Sequence, residues 1–188
     1  QRWYAGETIS IGIGQGYHAY TPLQLALAVA ALANDGVMHR PHFVDYIENP
    51  RTGERMYTKP QPLKTIPLKG ENLEVIKRAM VGVNREGTSA RSFAGAGYTS
   101  AGKTGTAQVV ALKQGEKYVE SQVDEYLRDH ALFIAFAPAE NPKIALAVLV
   151  ENAGFGARAA APIARTALDY YLLGKSVDKP ARPAPAPK

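Results

Sequence analysis

A short segment near the middle of the chain combines a cation, two hydroxyls and two glycines. Residues Ala101–Gln108 read AGKTGTAQ, and the surrounding residues favour a β-strand. Glycine weakens a strand unless another backbone or a ligand must approach closely at that position. A lysine flanked by glycines is therefore not expected in a strand whose only role is to pack in the core. The segment therefore predicts a strand that faces a substrate, with Lys103, Thr104 and Thr106 supplying polar contacts.

The same residues also match the phosphate-binding P-loop pattern, over Gly97–Thr104. A P-loop follows a buried apolar strand and opens a helix whose N-terminus holds the phosphates. Here the stretch Arg91–Ala96 precedes the pattern, and the β-prone residues Thr106–Val110 follow it. We therefore expect no helix after Lys103, and a nucleotide-binding domain is the less favoured alternative.

Ser100 and Lys103 have the S-x-x-K spacing of penicillin-recognising serine enzymes. That motif works on a helix, where residues three apart share a face. In an extended chain the two side chains point to opposite faces and lie roughly 10 Å apart. Ser100 is therefore not predicted to be a nucleophile.

Neither a cofactor nor a metal ion is predicted. The run Gly12–Gly16 resembles a dinucleotide fingerprint, but the capped helix begins only after Tyr20, so no helix N-terminus meets the glycines. His39 and His42 are separated by Arg and Pro, and the proline prevents the helical face-sharing that a metal-binding pair would use. His18 has no partner at a metal-ligand spacing.

Composition is that of an ordinary globular chain. Of 188 residues, 46% are hydrophobic and 21% charged, which is enough for one core. Cysteine is absent, so disulfides and thiolate metal sites are excluded. No apolar run approaches the roughly 18 to 20 residues that span a bilayer. The net charge is +5, but the basic residues are scattered without interleaved aromatics, so no nucleic-acid partner is predicted.

The first half of the chain is predicted to be mixed in structure. Thr21 and Pro22 begin a largely buried helix that stops at Asn34. The other predicted elements are strands at 37–48 and 54–58 around a turn at 49–53, a surface connection at 59–67, a helix presenting Leu73, Ile76, Met80 and Val83, and a short helix capped by Thr88 and ending near Phe93.

The second half is predicted to be mainly strands. The predicted elements are strands at 98–112, 131–137 and 143–151, a hairpin turn at 138–142, and a closing helix at 159–173. The charged segment 118–129 is predicted to be a solvated loop or short helix over the site. Residues 175–188 are rich in Lys, Pro and Ala and are predicted to be disordered.

Lys103-Thr104-Gly105 is also the K-T-G signature of the penicillin-recognising enzymes, and its companions make the resemblance specific. The chain resembles the C-terminal part of the transpeptidase domain of the elongation-specific class B penicillin-binding proteins, the penicillin-binding protein 2 group, over residues 1–174. The motifs that carry the resemblance, in order, are GETISIGIGQG at 6–16, TPLQ at 21–24, NDG at 34–36, GT at 87–88, KTGTAQ at 103–108, LRDH at 127–130 and AFAP at 135–138.

Two signatures of that family are missing from this chain. The family's S-x-x-K and S-x-N precede its K-T-G. No serine before Ser100 has a lysine three residues later, and no serine stands two residues before an asparagine. The resemblance therefore implies a partial α+β fold of the β-lactamase and transpeptidase type, a mainly antiparallel sheet with helices on both faces, without the part that bears the nucleophile.

The resemblance also implies roles for individual residues. The backbone N–H of Thr106 would supply half of an oxyanion hole, and the Lys103 ammonium with the Thr104 and Thr106 hydroxyls would bind the substrate carboxylate. Gly105 would let an extended substrate approach the strand edge. Arg128-Asp129-His130 matches a family triplet. It is not assigned to catalysis, because a lone Asp-His pair such as Asp129 and His130 more often forms a structural hydrogen bond than a catalytic dyad.

At the level of function, the resemblance implies a serine D,D-transpeptidase that cross-links peptidoglycan stem peptides during cell elongation and is acylated by β-lactams. The implied partners are stem peptides, β-lactams, the glycan polymerase and the scaffold proteins of the elongation machinery. The implied location is the periplasmic face of the bacterial inner membrane, through an anchor upstream of this chain. The 188 residues alone are expected to be inactive, and a non-catalytic interaction module stays an alternative.

Overall fold

The computed structural model describes residues 2–110 and 118–175. In chain order the elements are α1 (Ala5–Gly12), α2 (Pro22–Ala33), β1 (Val37–His39), β2 (Tyr46–Glu48), β3 (Arg55–Tyr57), β4 (Pro62–Thr65), α3 (Gly70–Arg85), α4 (Ala90–Phe93), β5 (Ala101–Ala107), β6 (His130–Ala137), β7 (Ile144–Val150) and α5 (Gly156–Leu173). Two single 3-10 turns, Glu120–Gln122 and Glu125–Leu127, lie in the segment predicted to be a loop or short helix.

The centre of the fold is an antiparallel sheet in the order β5-β6-β7. Alternating residues of β6 point to opposite faces, as strand geometry requires. Phe133 packs with α5 on one face, whereas Phe136 packs with Val29 of α2 and Met80 of α3 on the other, and all four are buried. The predicted antiparallel sheet with helices on both faces is confirmed.

Small residues allow this close packing of helix on sheet. Ala160, Ala161 and Ala164 of α5 are fully buried against β6. Phe93 of α4 stacks on Phe133 with ring centroids 5.6 Å apart. A side chain at Gly102 would come within 2.5 Å of the Phe133 ring. The start of β5 is therefore fixed against the core, which holds the following K-T-G residues in place.

The helix after Thr21 begins as predicted. The Thr21 hydroxyl accepts a hydrogen bond from the Gln24 backbone N–H, and Pro22 occupies the first helical position. The expectation that the helix is largely buried is wrong for its first half, because Leu23 is 52% exposed. In its second half, Val29 and Ala33 are buried in the cluster that contains Phe136 of β6.

The amphipathic helix at Leu73 is also confirmed, as α3. Leu73 and Met80 are buried, but Ile76 is 46% exposed and Val83 is half-buried. The short helix before Phe93 exists as α4, yet its N-cap is Ser89 and not Thr88. The Thr88 hydroxyl is directed to β5 instead.

The region 37–67 contains two corrections. The predicted strand at 37–48 is two separate strands, β1 and β2. The predicted surface connection at 59–67 contains a strand, β4, which pairs antiparallel with β1. Pro62 is compatible with this pairing because it stands at the first position of an edge strand, where no N–H is needed.

Other helix and strand boundaries differ from the predicted ones by a few residues. Within the described residues, the strand predicted at 98–112 forms over 101–107, as β5, and α5 begins three residues earlier than expected, at Gly156. The 138–142 turn joins β6 to β7 as predicted. Helix α1 was not predicted. The predicted disordered tail and the end of the predicted 98–112 strand lie largely outside the described residues. Within the described ranges, no helix is both long and apolar enough to cross a membrane.

Candidate active site

Strand β5 has a neighbour, β6, on one side and no paired strand on the other side within the described residues. Gly105 pairs with Leu132 of β6. If residue 156 were alanine, its Cβ would lie 2.4 Å from the Gly105 carbonyl oxygen and 2.2 Å from the Leu132 carbonyl oxygen, so these two oxygens are close to each other. Opposite residues of an antiparallel pair bring their carbonyl oxygens this close only when they exchange hydrogen bonds with each other. The N–H and C=O groups of the neighbouring Thr104 and Thr106 therefore point to the open edge.

The open edge therefore presents the backbone groups of two threonines. Each of the two carbonyls is bound by a side chain of the same protein. The Lys103 Nζ donates to the Thr104 carbonyl at 2.7 Å, and the Gln15 Nε2 donates to the Thr106 carbonyl at 2.8 Å. An extended ligand approaching this edge would find outward N–H groups beside an ammonium group and two hydroxyls.

An open cavity of about 500 Å³ lies beside this strand. It is lined by all four K-T-G-T residues, by Leu132 of β6, and by residues of the segment between α1 and α2, including Gly14 and His18. The predicted site residues Lys103, Thr104, Gly105 and Thr106 are thus brought together at one cavity wall. A larger cavity, about 810 Å³, lies between α2 and the start of β7, away from the K-T-G residues.

Two residues at this edge were missed as functional candidates. The sequence presents Gln15 as part of a glycine-rich run and predicts Thr88 to be a helix cap. The Thr88 hydroxyl lies 2.9 Å from the Thr104 hydroxyl, 16 residues further along the chain. Their presence in two of the family-specific motifs, GQG and GT, was the signal that could have identified them.

The start of α5 lies directly under the open strand. A Cβ at Gly156 would lie 2.2 Å from the Leu132 oxygen and 2.4 Å from the Gly105 oxygen. Backbone atoms of paired strands cannot move apart without losing hydrogen bonds. Glycine at 156 therefore lets α5 support β5 at the position of the K-T-G motif.

We predict that Gly156→Ala destabilises the protein by about 2 kcal/mol through overpacking. Urea unfolding followed by circular dichroism would measure this change. Ala157→Gly, on the same helix but outside this contact, is a control that should lower stability by about 1 kcal/mol through helix propensity. An unchanged midpoint for Gly156→Ala would contradict the close contact.

Ser100, which is not predicted to be a nucleophile, is buried. Its side chain is 5% exposed, and its hydroxyl accepts a hydrogen bond from Asn84 Nδ2 at 2.8 Å. Asn84 in turn accepts from the Ser89 hydroxyl at 2.6 Å. Lys103, by contrast, is exposed. The S-x-x-K spacing at this point therefore carries no nucleophile.

Since Lys103 and Thr104 lie within a strand, the helix that a P-loop needs is also absent here.

The Asp129-His130 pair is held by backbone contacts. The buried Asp129 carboxylate accepts from the Val109 N–H at 3.3 Å. His130 Nδ1 accepts from the Asn152 N–H at 2.9 Å, and the Asn152 side chain donates to the Arg128 carbonyl at 2.9 Å. These bonds tie the start of β6 to neighbouring loops, which supports leaving the triplet out of catalysis.

A polar cluster fixes the segment that enters β5. The Tyr98 hydroxyl and Arg165 Nε both donate to Asp169 Oδ1 at 2.8 Å. Burial, followed by the bond to the Asp169 carboxylate, raises the pKa of Tyr98 well above its usual range. Burial acts to raise the pKa of Asp169, but the hydrogen bonds from Arg165 and Tyr98 outweigh it and lower that pKa. The cluster therefore holds Tyr98, which precedes the K-T-G strand, against α5.

Two of the remaining histidines, His18 and His42, make local contacts. His18 Nδ1 lies 3.0 Å from the Tyr20 hydroxyl, and its Nε2 lies 3.2 Å from the Ile11 carbonyl. His42 Nδ1 bonds to the Val44 carbonyl, and His39 lies in β1. His18 thereby orders the segment that forms one wall of the cavity.

Comparison with known proteins agrees with the fold. Residues 1–169 match the model of the penicillin binding protein transpeptidase domain. A curated relative, peptidoglycan D,D-transpeptidase MrdA of Haemophilus influenzae, is 44% identical over 175 residues, 90% of this chain and 26% of the relative. The chain thus spans about a quarter of that relative's length.

Solved structures show the same architecture. Pseudomonas aeruginosa PBP2 in complex with WCK 5153 has a TM-score of 0.73 and 40% identity, covering 97% of this chain and 38% of the other. The complex of PBP2 with MreC from Helicobacter pylori has a TM-score of 0.68 and 29% identity, covering 93% of this chain and 29% of the other. The transpeptidase-type fold is therefore confirmed.

Proposed function

Because the chain belongs to the penicillin-binding protein transpeptidase family, we propose that it supplies the K-T-G half of a peptidoglycan D,D-transpeptidase active site. The observation that carries the proposal is the open edge of β5. Thr106 turns its N–H outward there, beside the exposed Lys103 and the side-chain hydroxyls of Thr104 and Thr106. These are the contacts that an extended peptide with a terminal carboxylate requires.

The reaction is serine acyl transfer. A serine outside these 188 residues attacks the carbonyl between the two terminal D-alanines of a stem peptide. Its proton passes to a base, the terminal D-alanine leaves as an amine, and an ester with the enzyme forms. An amine of a neighbouring stem peptide then attacks the ester, which forms the cross-link and releases the serine.

The residues of this chain bind and polarise the acyl donor. The Thr106 N–H donates to the oxygen of the scissile carbonyl, where negative charge develops in the transition state. The second donor is the N–H of the serine itself. The Lys103 ammonium and the hydroxyls of Thr104 and Thr106 bind the terminal carboxylate, or the carboxylate of a β-lactam. Gly105 has no side chain, so an extended ligand can approach the strand edge closely and lie along it.

We also propose partners and a location for the protein, by analogy with the same relatives. The MreC complex of Helicobacter pylori PBP2 supports a scaffold partner of the cell-elongation machinery, and a lipid-linked glycan polymerase is the proposed second partner. We place the active site on the periplasmic face of the bacterial inner membrane, held there by an anchor outside this chain.

The function is tested by labelling the natural full-length protein with fluorescent penicillin. We expect saturable covalent labelling that a synthetic peptide ending in D-Ala-D-Ala slows by competition. ATP with magnesium should neither slow the labelling nor give saturable heat in calorimetric titration, because β5 continues as a strand after Lys103. Micromolar ATP binding without penicillin labelling would instead favour the P-loop alternative.

A further inference from the structure

Gln15 makes a long-range contact with the candidate site. Its side-chain Nε2 donates to the Thr106 carbonyl at 2.8 Å, although the two residues lie 91 positions apart in sequence. Both residues are half-buried. Half-burial makes this bond worth more than a fully solvated one, since water competes less for the two groups.

The loop around Gln15 is built to hold that side chain in place. Gly14 and Gly16 have φ angles of 80° and 69°, which favour glycine. The Gln15 backbone N–H donates to the Ser10 carbonyl at 2.9 Å, and a Cβ at Gly16 would lie 3.3 Å from the Ser10 Cβ. The loop therefore folds back tightly on α1, so Gln15 projects from a fixed backbone.

Gln15 acts on the same residue that bears the proposed oxyanion donor. On one side of Thr106, the Gly105 backbone is held by β6 through its pairing with Leu132. On the other side, the Thr106 carbonyl is held by Gln15. The Thr106 N–H thus lies between two anchored groups, and its direction is fixed before a ligand arrives. Preorganised donors of this kind need no reorganisation during the reaction.

We propose that Gln15 is a positioning residue for acylation, fixing the open end of β5 so that the Thr106 N–H points at the acyl carbonyl. The inference rests on the proposed function and extends it to a residue outside the K-T-G strand. The carbonyl oxygen of Thr106 has two lone pairs, so Gln15 and a ligand amide can both donate to it.

The test uses Gln15→Ala and Gln15→Glu in the natural full-length protein. The alanine lacks the donor at every pH. The glutamate keeps the size of the side chain but donates only when its carboxyl is protonated. Near neutral pH we expect both variants to acylate about fivefold more slowly than the parent, the effect of one lost hydrogen bond. Gln61→Ala, an exposed glutamine before β4, is the control and should acylate at the parental rate.

The pH profile separates positioning from a general loss of structure. The rate of Gln15→Glu relative to the parent should rise about threefold as the pH falls from about 8 to about 4.3, the ordinary pKa of a glutamate, where half of the carboxyls are protonated. The relative rate of Gln15→Ala should stay constant. Parental rates in both variants, or equal losses with the same flat pH profile, would overturn the inference. A parent that is not labelled at all would instead contradict the proposed function.

Discussion

Replacing Lys103 by alanine in the natural full-length protein should lower the rate of acylation by penicillin about 10- to 150-fold. The ammonium group lies exposed on an open strand edge, where it can bind the carboxylate of the drug. A charge-assisted hydrogen bond of this kind contributes about 1.5 to 3 kcal/mol, and each 1.4 kcal/mol is tenfold in rate. Fluorescent-penicillin labelling at low drug concentration, followed over time, measures the change.

The fold should survive this substitution. The Lys103 ammonium donates to the Thr104 carbonyl, and Lys103 is exposed and lies outside the two buried clusters of the described residues. The melting temperature should therefore stay close to that of the parent. Lys64→Ala is a matched control, since Lys64 is also an exposed lysine on an edge strand, but in the small β1–β4 sheet. Unchanged labelling in Lys103→Ala, or an equal loss in Lys64→Ala, would remove Lys103 from the site.

Features with a strong local signal could be predicted from the sequence. The cap at Thr21 with Pro22, the hairpin turn at 138–142 and the sheet segment at Ala101 all depend on neighbouring residues, and all appear in the structure. The K-T-G residues could be placed for the same reason. Glycines beside a lysine are unusual in a strand, so the motif is visible without knowledge of the fold.

Features that depend on distant partners could not be predicted. Strand β4 forms only because β1 is available to pair with it, and a run with three prolines gives no local sign of a strand. Thr88 has the residue type of a helix cap, but its hydroxyl meets that of Thr104. Gln15 reaches Thr106 across 91 residues, and the GQG motif marks Gln15 as a candidate without indicating this partner. The site was therefore predicted along β5 and missed in the loops that surround it.

We also predict that the 188-residue chain by itself forms no covalent adduct with penicillin. An acyl-enzyme needs a serine within hydrogen-bond reach of a base that activates it. Ser100 is buried and bonded to Asn84, and Ser89 is buried and bonded to Asn84 as well. Ser176 also has a lysine three residues later, but it follows the K-T-G motif and lies outside the described residues. Binding and oxyanion contacts alone cannot form the ester.

The most direct test of the account is intact-mass spectrometry after incubation with a β-lactam, performed on both the 188-residue chain and the natural full-length protein. Circular dichroism first establishes that the short chain is folded. The account predicts one drug mass added to the full-length protein, on a serine outside residues 1–188, and no added mass on the short chain. A stoichiometric adduct mapped to any serine within residues 1–188 would contradict it.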